Sequence, residues 1–194
     1  MPKKKNKVPK LPLRVIKYLE KAGIKHEIIK HKKAYTAFDT AQTMKRKLSE
    51  VVKTLLIKVD KDYYFVLLSA DQNLDLPKLK KVLGKETKKE IKVLKIPNEK
   101  SIKESLKLKK EEAMAAFAGL YSRPVIIEKS LLKVKKAVFA SESFNHSVEL
   151  AVKDFIKLEN AILASFGVKK RIKLTELKKP KRKKTVASKS KKKK

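Results

Sequence analysis

The segment "VVKTLLIKVDKDYYFVLLS", residues 51 to 69, limits the possible folds more than any other part of the chain. Two apolar runs rich in β-branched and aromatic residues flank the polar tripeptide Asp60, Lys61, Asp62, and that arrangement predicts a β-hairpin with a tight turn. Lys53 is the odd member. Strand alternation puts Val51, Lys53, Leu55 and Ile57 on one face and Val52, Thr54, Leu56 and Lys58 on the other, so an ammonium stands among apolar neighbours. Two explanations are open. A strand-end lysine can snorkel to solvent. A lysine at a cleft floor can instead fix an anionic or carbonyl oxygen, or carry a pKa depressed by desolvation.

Around this hairpin, helical and extended patterns alternate. Leu13, Ile16, Tyr18 and Leu19 keep near-helical spacing, and Gly23 is a natural stop. "IKHEIIKH" reads as a short strand, and "TAFDTAQTMKRK" as a helix that Thr36 can N-cap. "LDLPKLKKVLG" predicts a helix with Asp75 as N-cap, Pro77 in the first turn and Gly84 at the end. "EIKVLKI" reads as a strand, "NEKSIKESL" as a helix capped by Asn98, and "EEAMAAFAG" as a helix turn or a small-residue loop. "RPVIIE", "KAVFAS" and "HSVELAV" predict three short strands, with a closing helix over "KDFIKLENAILASF". The expected fold is α+β (mixed α/β), a single domain whose mixed, partly antiparallel sheet is flanked by helices. No internal repeat of useful length is present.

Charge divides the chain further. The 194 residues carry a net charge of +33. Residues 1–10 hold five lysines and no acid, and residues 169–194 hold fifteen Lys or Arg against Glu176 alone. The expected organisation is a basic N-terminal arm over 1–10, a folded domain over 11–168 and a disordered Lys-rich C-terminal tail over 169–194. The body from 11 to 168 retains a net +14 and is itself basic. Such a charge attracts nucleic acid, an anionic membrane surface or acidic proteins. Within the tail, Lys181, Arg182, Lys183 and Lys184 suit a sequence-independent RNA-affinity arm; a solubility tail or a nuclear address would use the same residues. No apolar h-region follows the N-terminal lysines and no run reaches eighteen apolar residues, so neither secretion nor membrane spanning is expected. The absence of cysteine removes disulfides, thiolate metal sites and a cysteine nucleophile, and fits a cytoplasmic protein.

The familiar phosphate-binding and hydrolytic motifs are missing: no P-loop, no GxGxxG, no nucleophile elbow and no HExxH. Four glycines in the whole chain leave little material for a phosphate-cradling loop. His26, His31 and His146 have no neighbouring carboxylate at metal-ligand spacing, so no metal and no cofactor is expected.

The order of four segments is more specific. "HKKAYTAFDTAQ", "SEVVKTLLIKVD", "YYFVLLSADQNLDLPKLKKVLG" and "PVIIEKSLL" together resemble the YbaK-like aminoacyl-tRNA deacylases, a family that includes the editing domain of bacterial prolyl-tRNA synthetases. The matching residues are His31, Ala34 and Thr36; Lys53 and Thr54; Ala70, Asp71, Leu74, Asp75, Leu76, Leu79 and Gly84; and Pro124, Val125, Ser130, Leu131 and Leu132. The resemblance runs from about residue 11 to 163.

What this resemblance implies is hydrolysis, without metal, of the ester joining a wrong small amino acid to the 3′ end of tRNA, a translation-fidelity activity. Lys53 stands at the family's functional lysine. An aminoacyl ester is already activated, so positioning a water and stabilising the tetrahedral oxyanion can suffice. Electrostatic anchoring by Lys53 is favoured over general-base duty, which needs a neutral amine. Thr36, Thr54 and Asp71 join it as candidate substrate-binding residues, although Thr36 serves equally as a helix cap and Asp71 as a turn former.

Three departures stand out. Where relatives carry a "GSVSPFG"-like loop lining the amino-acid pocket, this chain has "EAMAAFA". Ala113, Ala115, Ala116 and Phe117 are then candidate pocket walls, or alternatively core packing. "SESFNHSVEL" replaces a Gly-rich turn with a pocket histidine, making His146 either that histidine or a loop residue. Glu128 replaces the usual Asp. The implied partners are tRNA through its aminoacylated 3′ end and an aminoacyl-tRNA synthetase. The alternative is a noncatalytic RNA-binding or translation-associated protein on the same fold.

Overall fold

A computed structural model describes residues 10–109 and 111–169. The expected N-terminal arm, except Lys10, and the tail beyond Lys169 lie outside the described residues.

The hairpin forms as its sequence dictates. Strands β2 (Val52–Val59) and β3 (Asp62–Ser69) pair antiparallel from Val52 opposite Ser69 to Val59 opposite Asp62. Asp60 takes a left-handed conformation with φ 51°, a region Asp tolerates better than most residues. Its carboxylate accepts the Lys92 and Val93 N–H groups at 3.1 and 2.7 Å, which ties the turn to the next segment.

This hairpin is the middle of a five-stranded sheet. Strands β5 (Leu94–Lys95), β6 (Val125–Glu128) and β9 (Ile162–Ala164) complete it in the order β5-β2-β3-β6-β9. The β5-β2-β3 pairings are antiparallel and the β3-β6-β9 pairings parallel, so the sheet is mixed. A second sheet orders β1 (His26–Lys30), β8 (His146–Ala151) and β7 (Lys136–Ala140), all antiparallel. A third pairs β4 (Gln72–Leu74) with β10 (Gly167–Lys169).

Both faces of the five-stranded sheet are buried, which is why its strands read as apolar runs. One face sends Val52, Leu56, Phe65, Leu67, Val125 and Ile127 into a core shared with the second sheet and with helices α1 (Leu13–Lys21) and α5 (Val152–Glu159). Phe139 stacks on Phe155 there, ring centroids 4.2 Å apart. The other face packs Ile57, Val59, Val66, Leu68 and Ile126 against Leu79 and Leu83 of α3 (Leu76–Thr87).

Helix ends follow their local chemistry. Thr36 and Asp39 form a reciprocal capping box on α2 (Ala37–Met44), Asp75 caps α3, and Asn98 caps α4 (Glu99–Leu106). Pro12 offers α1 no side-chain cap; Glu142 supplies one from far along the chain, accepting the Arg14 and Val15 N–H groups at 2.7 and 3.2 Å.

Several boundaries differ from the sequence pattern. Helix α3 runs through Gly84 to Thr87 and turns at Lys88 with φ 53°, so Gly84 is a helix-interior residue rather than a stop. The strand expected over "EIKVLKI" shrinks to Leu94–Lys95. The closing helix ends at Glu159 with Asn160 left-handed, and the rest of its expected span becomes β9, because Ala164 and Phe166 are drawn into the core beside α3. Strand β10 reaches Lys169, one residue past the expected domain boundary.

Glu128 closes the C-terminal corner. It is buried, and its carboxylate accepts the N–H groups of Phe166 at 2.6 Å and Gly167 at 2.5 Å. Gly167 in turn lies so close to the Gln72 side chain that a Cβ there would sit 2.9 Å from Gln72 Oε1.

Candidate functional site

A cavity of about 360 Å³ opens where the start of β2 meets the 31–40 segment, the 113–114 turn and the 138–147 region. Its floor is the run Val51 to Leu55, so the start of the hairpin brings Lys53 and Thr54 to the site from opposite faces of the strand. Lys53 Nζ donates to the main-chain carbonyl of Gln72 at 2.6 Å. That carbonyl belongs to β4, which is held in place by β10 and by the Gln72 side chain, whose Oε1 accepts from Ser69 and Ser130 at 3.2 and 2.9 Å. Thr54 Oγ1 is buried and has no hydrogen-bond partner among the described residues.

Opposite the floor, Thr36 borders the cavity from its cap position at the start of α2. His31 and Ser147 add a polar pair: His31 Nε2 lies 2.9 Å from Ser147 Oγ and Nδ1 lies 2.7 Å from the Lys32 carbonyl. A carbonyl can only accept, so Nδ1 carries the proton and, in the neutral ring, Nε2 accepts from Ser147. Ala34, Ala113 and Ala140 give small apolar stretches of wall, Met114, Val138 and Phe139 larger ones, and Thr40, Ser141 and Ser143 add hydroxyls.

The structure thus brings Lys53, Thr54, Thr36 and Ala113 together. The other candidates among the described residues it sends elsewhere. Ala115, Ala116 and Phe117 are fully buried behind the wall; the Phe117 ring packs against Phe139 and Phe155 with centroids 6.2 and 5.5 Å away. Main-chain bonds from Ala113 to Glu142 and from Ala116 to Ala140 lay this segment along the 140–142 region as a loop, so only its first residues reach the cavity. Asp71 accepts a short hydrogen bond from Ser69 in the turn before β4 and does not line the cavity.

His146 is buried one residue before Ser147 on β8, and the two-residue strand period turns it away from the cavity. Its Nδ1 meets Ser143 Oγ at 3.0 Å, and its main-chain carbonyl accepts from Ser141 Oγ at 2.6 Å. Burial, helped by the nearby positive charge of His31 and Lys30, holds its pKa below the ordinary imidazole value. Its role here is to knit the 141–146 loop. Lys181, Arg182, Lys183 and Lys184 lie outside the described residues.

His31, Ser147, Tyr35 and Phe144 are cavity residues that motif reading did not single out as site residues. For His31 the signal was available, since it opens the His-x-x-Ala-x-Thr segment that also supplies Ala34 and Thr36. The others become visible only when β1 and β8 pair, with Lys30 opposite His146.

Known proteins share this fold. The model of the aminoacyl-tRNA editing domain matches residues 31–158, a span that includes every residue lining the cavity. No curated protein matches the chain. Among solved structures, one described under epitope backbone grafting onto scaffold proteins superimposes with a TM-score of 0.68 at 20% identity, covering 81% of this chain and 96% of that one. A crystal structure of a candidate trans-editing enzyme for prolyl tRNA synthetase gives 0.63 at 18% identity, over 81% of this chain and 96% of its own. A candidate signal transduction protein from Marinobacter aquaeolei VT8 gives 0.62 at 14% identity, over 82% of this chain but 31% of that protein. At these identities the likeness is one of fold, and the variety of descriptions shows why function must be argued from the site. The family match is of a different kind: it spans well over half of the sequence and the whole described cavity, and the chain belongs to the aminoacyl-tRNA editing domain family.

Proposed function

We propose that this protein is a freestanding, trans-acting deacylase that hydrolyses the ester joining a wrong, small amino acid to the 3′ end of tRNA. The observation that carries the reading is the placement of Lys53, its Nζ held at 2.6 Å by the Gln72 carbonyl, on the floor of a small apolar-walled cavity within the editing-domain fold.

The chemistry asks little more of the protein. Water adds to the ester carbonyl and gives up a proton, negative charge develops on the carbonyl oxygen, and the bond to the terminal ribose oxygen then breaks, that oxygen taking up a proton as the amino acid is released. A fixed cation beside that oxygen stabilises the transition state more than the ground state. Lys53 fills this role, anchoring the aminoacyl end by charge. General-base duty would need a neutral amine. Thr54 follows Lys53 in the chain and helps line the same cavity. His31 Nε2 and Ser147 Oγ form the polar pair that can orient that water. None of these steps calls for a metal ligand or a covalent nucleophile.

Size supports the substrate class. About 360 Å³ lies toward the small end of ligand sites, which run from roughly 300 to 1,000 Å³. The alanine walls suit side chains such as those of alanine, serine, cysteine or proline. The basic body and tail suit tRNA as the carrier, with a synthetase as the source of the mischarged product. Among the described residues no helix is long and apolar enough to cross a membrane.

The test is hydrolysis of a panel of tRNAs, correctly and wrongly charged with small amino acids, by the intact protein and by Lys53→Ala. Selective release of one amino acid that requires Lys53 supports the reading. RNA binding without cleavage of any ester overturns it and leaves a noncatalytic RNA-binding protein.

A further inference from the structure

Tyr35 stands at the cavity mouth 67% exposed, an unusual position for a large ring whose backbone is firmly placed. The next residue is the Thr36 cap, and the preceding Ala34 N–H bonds the Phe144 carbonyl at 2.9 Å. A second main-chain bond, His31 N–H to the Asn145 carbonyl at 2.9 Å, fastens the same two segments. Phe144 also lines the cavity, its centroid 5.1 Å from that of Tyr35 and its plane tilted by 51°. Lys33 completes the group, with Nζ 5.0 Å from the Tyr35 centroid and 5.9 Å from that of Phe144.

We propose that Tyr35 and Phe144, with Lys33 beside them, form a platform on which an unpaired nucleobase of the substrate's 3′ end stacks as the terminal residue enters the cavity. The choice of RNA rests on the deacylase reading and on the net charge of +33. Its geometry is that of single-strand binding: a ring supplies a face that any base can cover, and a cation beside it meets the sugar-phosphate chain or the base π-system. The main-chain ties hold the two ring-bearing segments to one another, so little ordering is left for the moment of binding. Stacking reads no base edge, so the platform would hold the end of the strand in register and leave the choice of amino acid to the walls.

An uncharged acceptor-stem hairpin with a single-stranded 3′ overhang, carrying 2-aminopurine at an unpaired position next to the terminal nucleotide, tests this directly, because stacking quenches that base's fluorescence. The intact protein should quench it. Tyr35→Ala and Phe144→Ala should each lose most of the quench and bind roughly 5- to 150-fold more weakly, the range expected for one base–aromatic stack. Tyr35→Phe should retain both, since the ring and not the hydroxyl is used. Quenching that is unchanged in Tyr35→Ala overturns the platform. Because Tyr35 is exposed, that variant should melt like the parent and stands alone if Phe144→Ala does not fold. The RNA carries no ester, so the two readings fail separately. Tyr35-dependent quenching without hydrolysis of any ester leaves the platform and removes the deacylase. Hydrolysis with a quench indifferent to Tyr35 does the reverse.

Discussion

The floor and the mouth of the cavity are built on opposite plans. The floor is the start of β2, in a sheet buried on both faces, where register dictates which side chain arrives and a lysine is tolerated because a main-chain carbonyl receives it. The mouth is made from the segments before α2 and before β8, where an aromatic ring stays in water and the loop is knitted by Ser141, Ser143 and His146. A buried strand places a charge accurately for chemistry, while a loop presents a surface for capture. The floor should therefore govern turnover and the mouth should govern affinity.

The strongest way to break that division is Lys53→Ala. Losing a transition-state donor of this kind typically costs about 10²- to 10³-fold in rate, so kcat/KM for the mischarged ester should drop by that factor while RNA affinity stays near the parent value. Equal losses in both would dissolve the contrast. Next in size is Glu128→Ala, which leaves the Phe166 and Gly167 N–H groups without their acceptor. A destabilisation of about 3 kcal/mol is expected from such buried donors, read as a lower midpoint in urea. Removing residues 170–194 should act on capture alone: RNA affinity weakens, and the salt slope flattens by about 0.7 to 0.9 for each phosphate that the tail no longer neutralises, with single-turnover hydrolysis preserved at saturating RNA.

Smaller effects sharpen the mouth. Thr36→Ala removes the α2 cap and should cost about 1 kcal/mol in thermal stability. His146 gives a pH signature. Its folded pKa lies below the ordinary 6.5, so the unfolded chain binds the proton first as pH falls. The stability it contributes is present above 6.5 and is lost as pH drops through the folded value, so the melting temperature should decline as pH falls below about 6.5. His146→Asn should flatten this slope; an unchanged slope would assign it to other groups.

Much of the architecture was legible because its signals are local. Continuous β-branched runs announced β2 and β3, and Thr36, Asp75 and Asn98 announced their helices by capping chemistry. What was hidden depends on partners distant in sequence. Gln72–Leu74 has no periodicity of its own and becomes a strand only against β10. "AILASF" carries enough helix formers to extend α5 on paper, yet it is held as strand by parallel pairing with β6 and by burial of Ala164 and Phe166. In the cavity, Lys53 was visible as a charge in an apolar run. The walls were harder, since a shift of one residue separates the cavity-lining Ser147 from the buried His146, and two residues separate Ala113 from Ala115. Glu128 looked like a mild replacement for aspartate; its longer side chain is what spans to the Phe166–Gly167 corner.

The pairing of β10 with β4 sets a limit for anyone trimming or fusing this protein. Because Gln72 both belongs to β4 and receives Lys53, the final described strand acts as a brace for the floor, even though it contributes no cavity residue. A reporter or affinity handle can be joined after Lys169 without touching that brace. A cut before Gly167 would keep the family-matched span whole and still unfasten the residue that the site is built around.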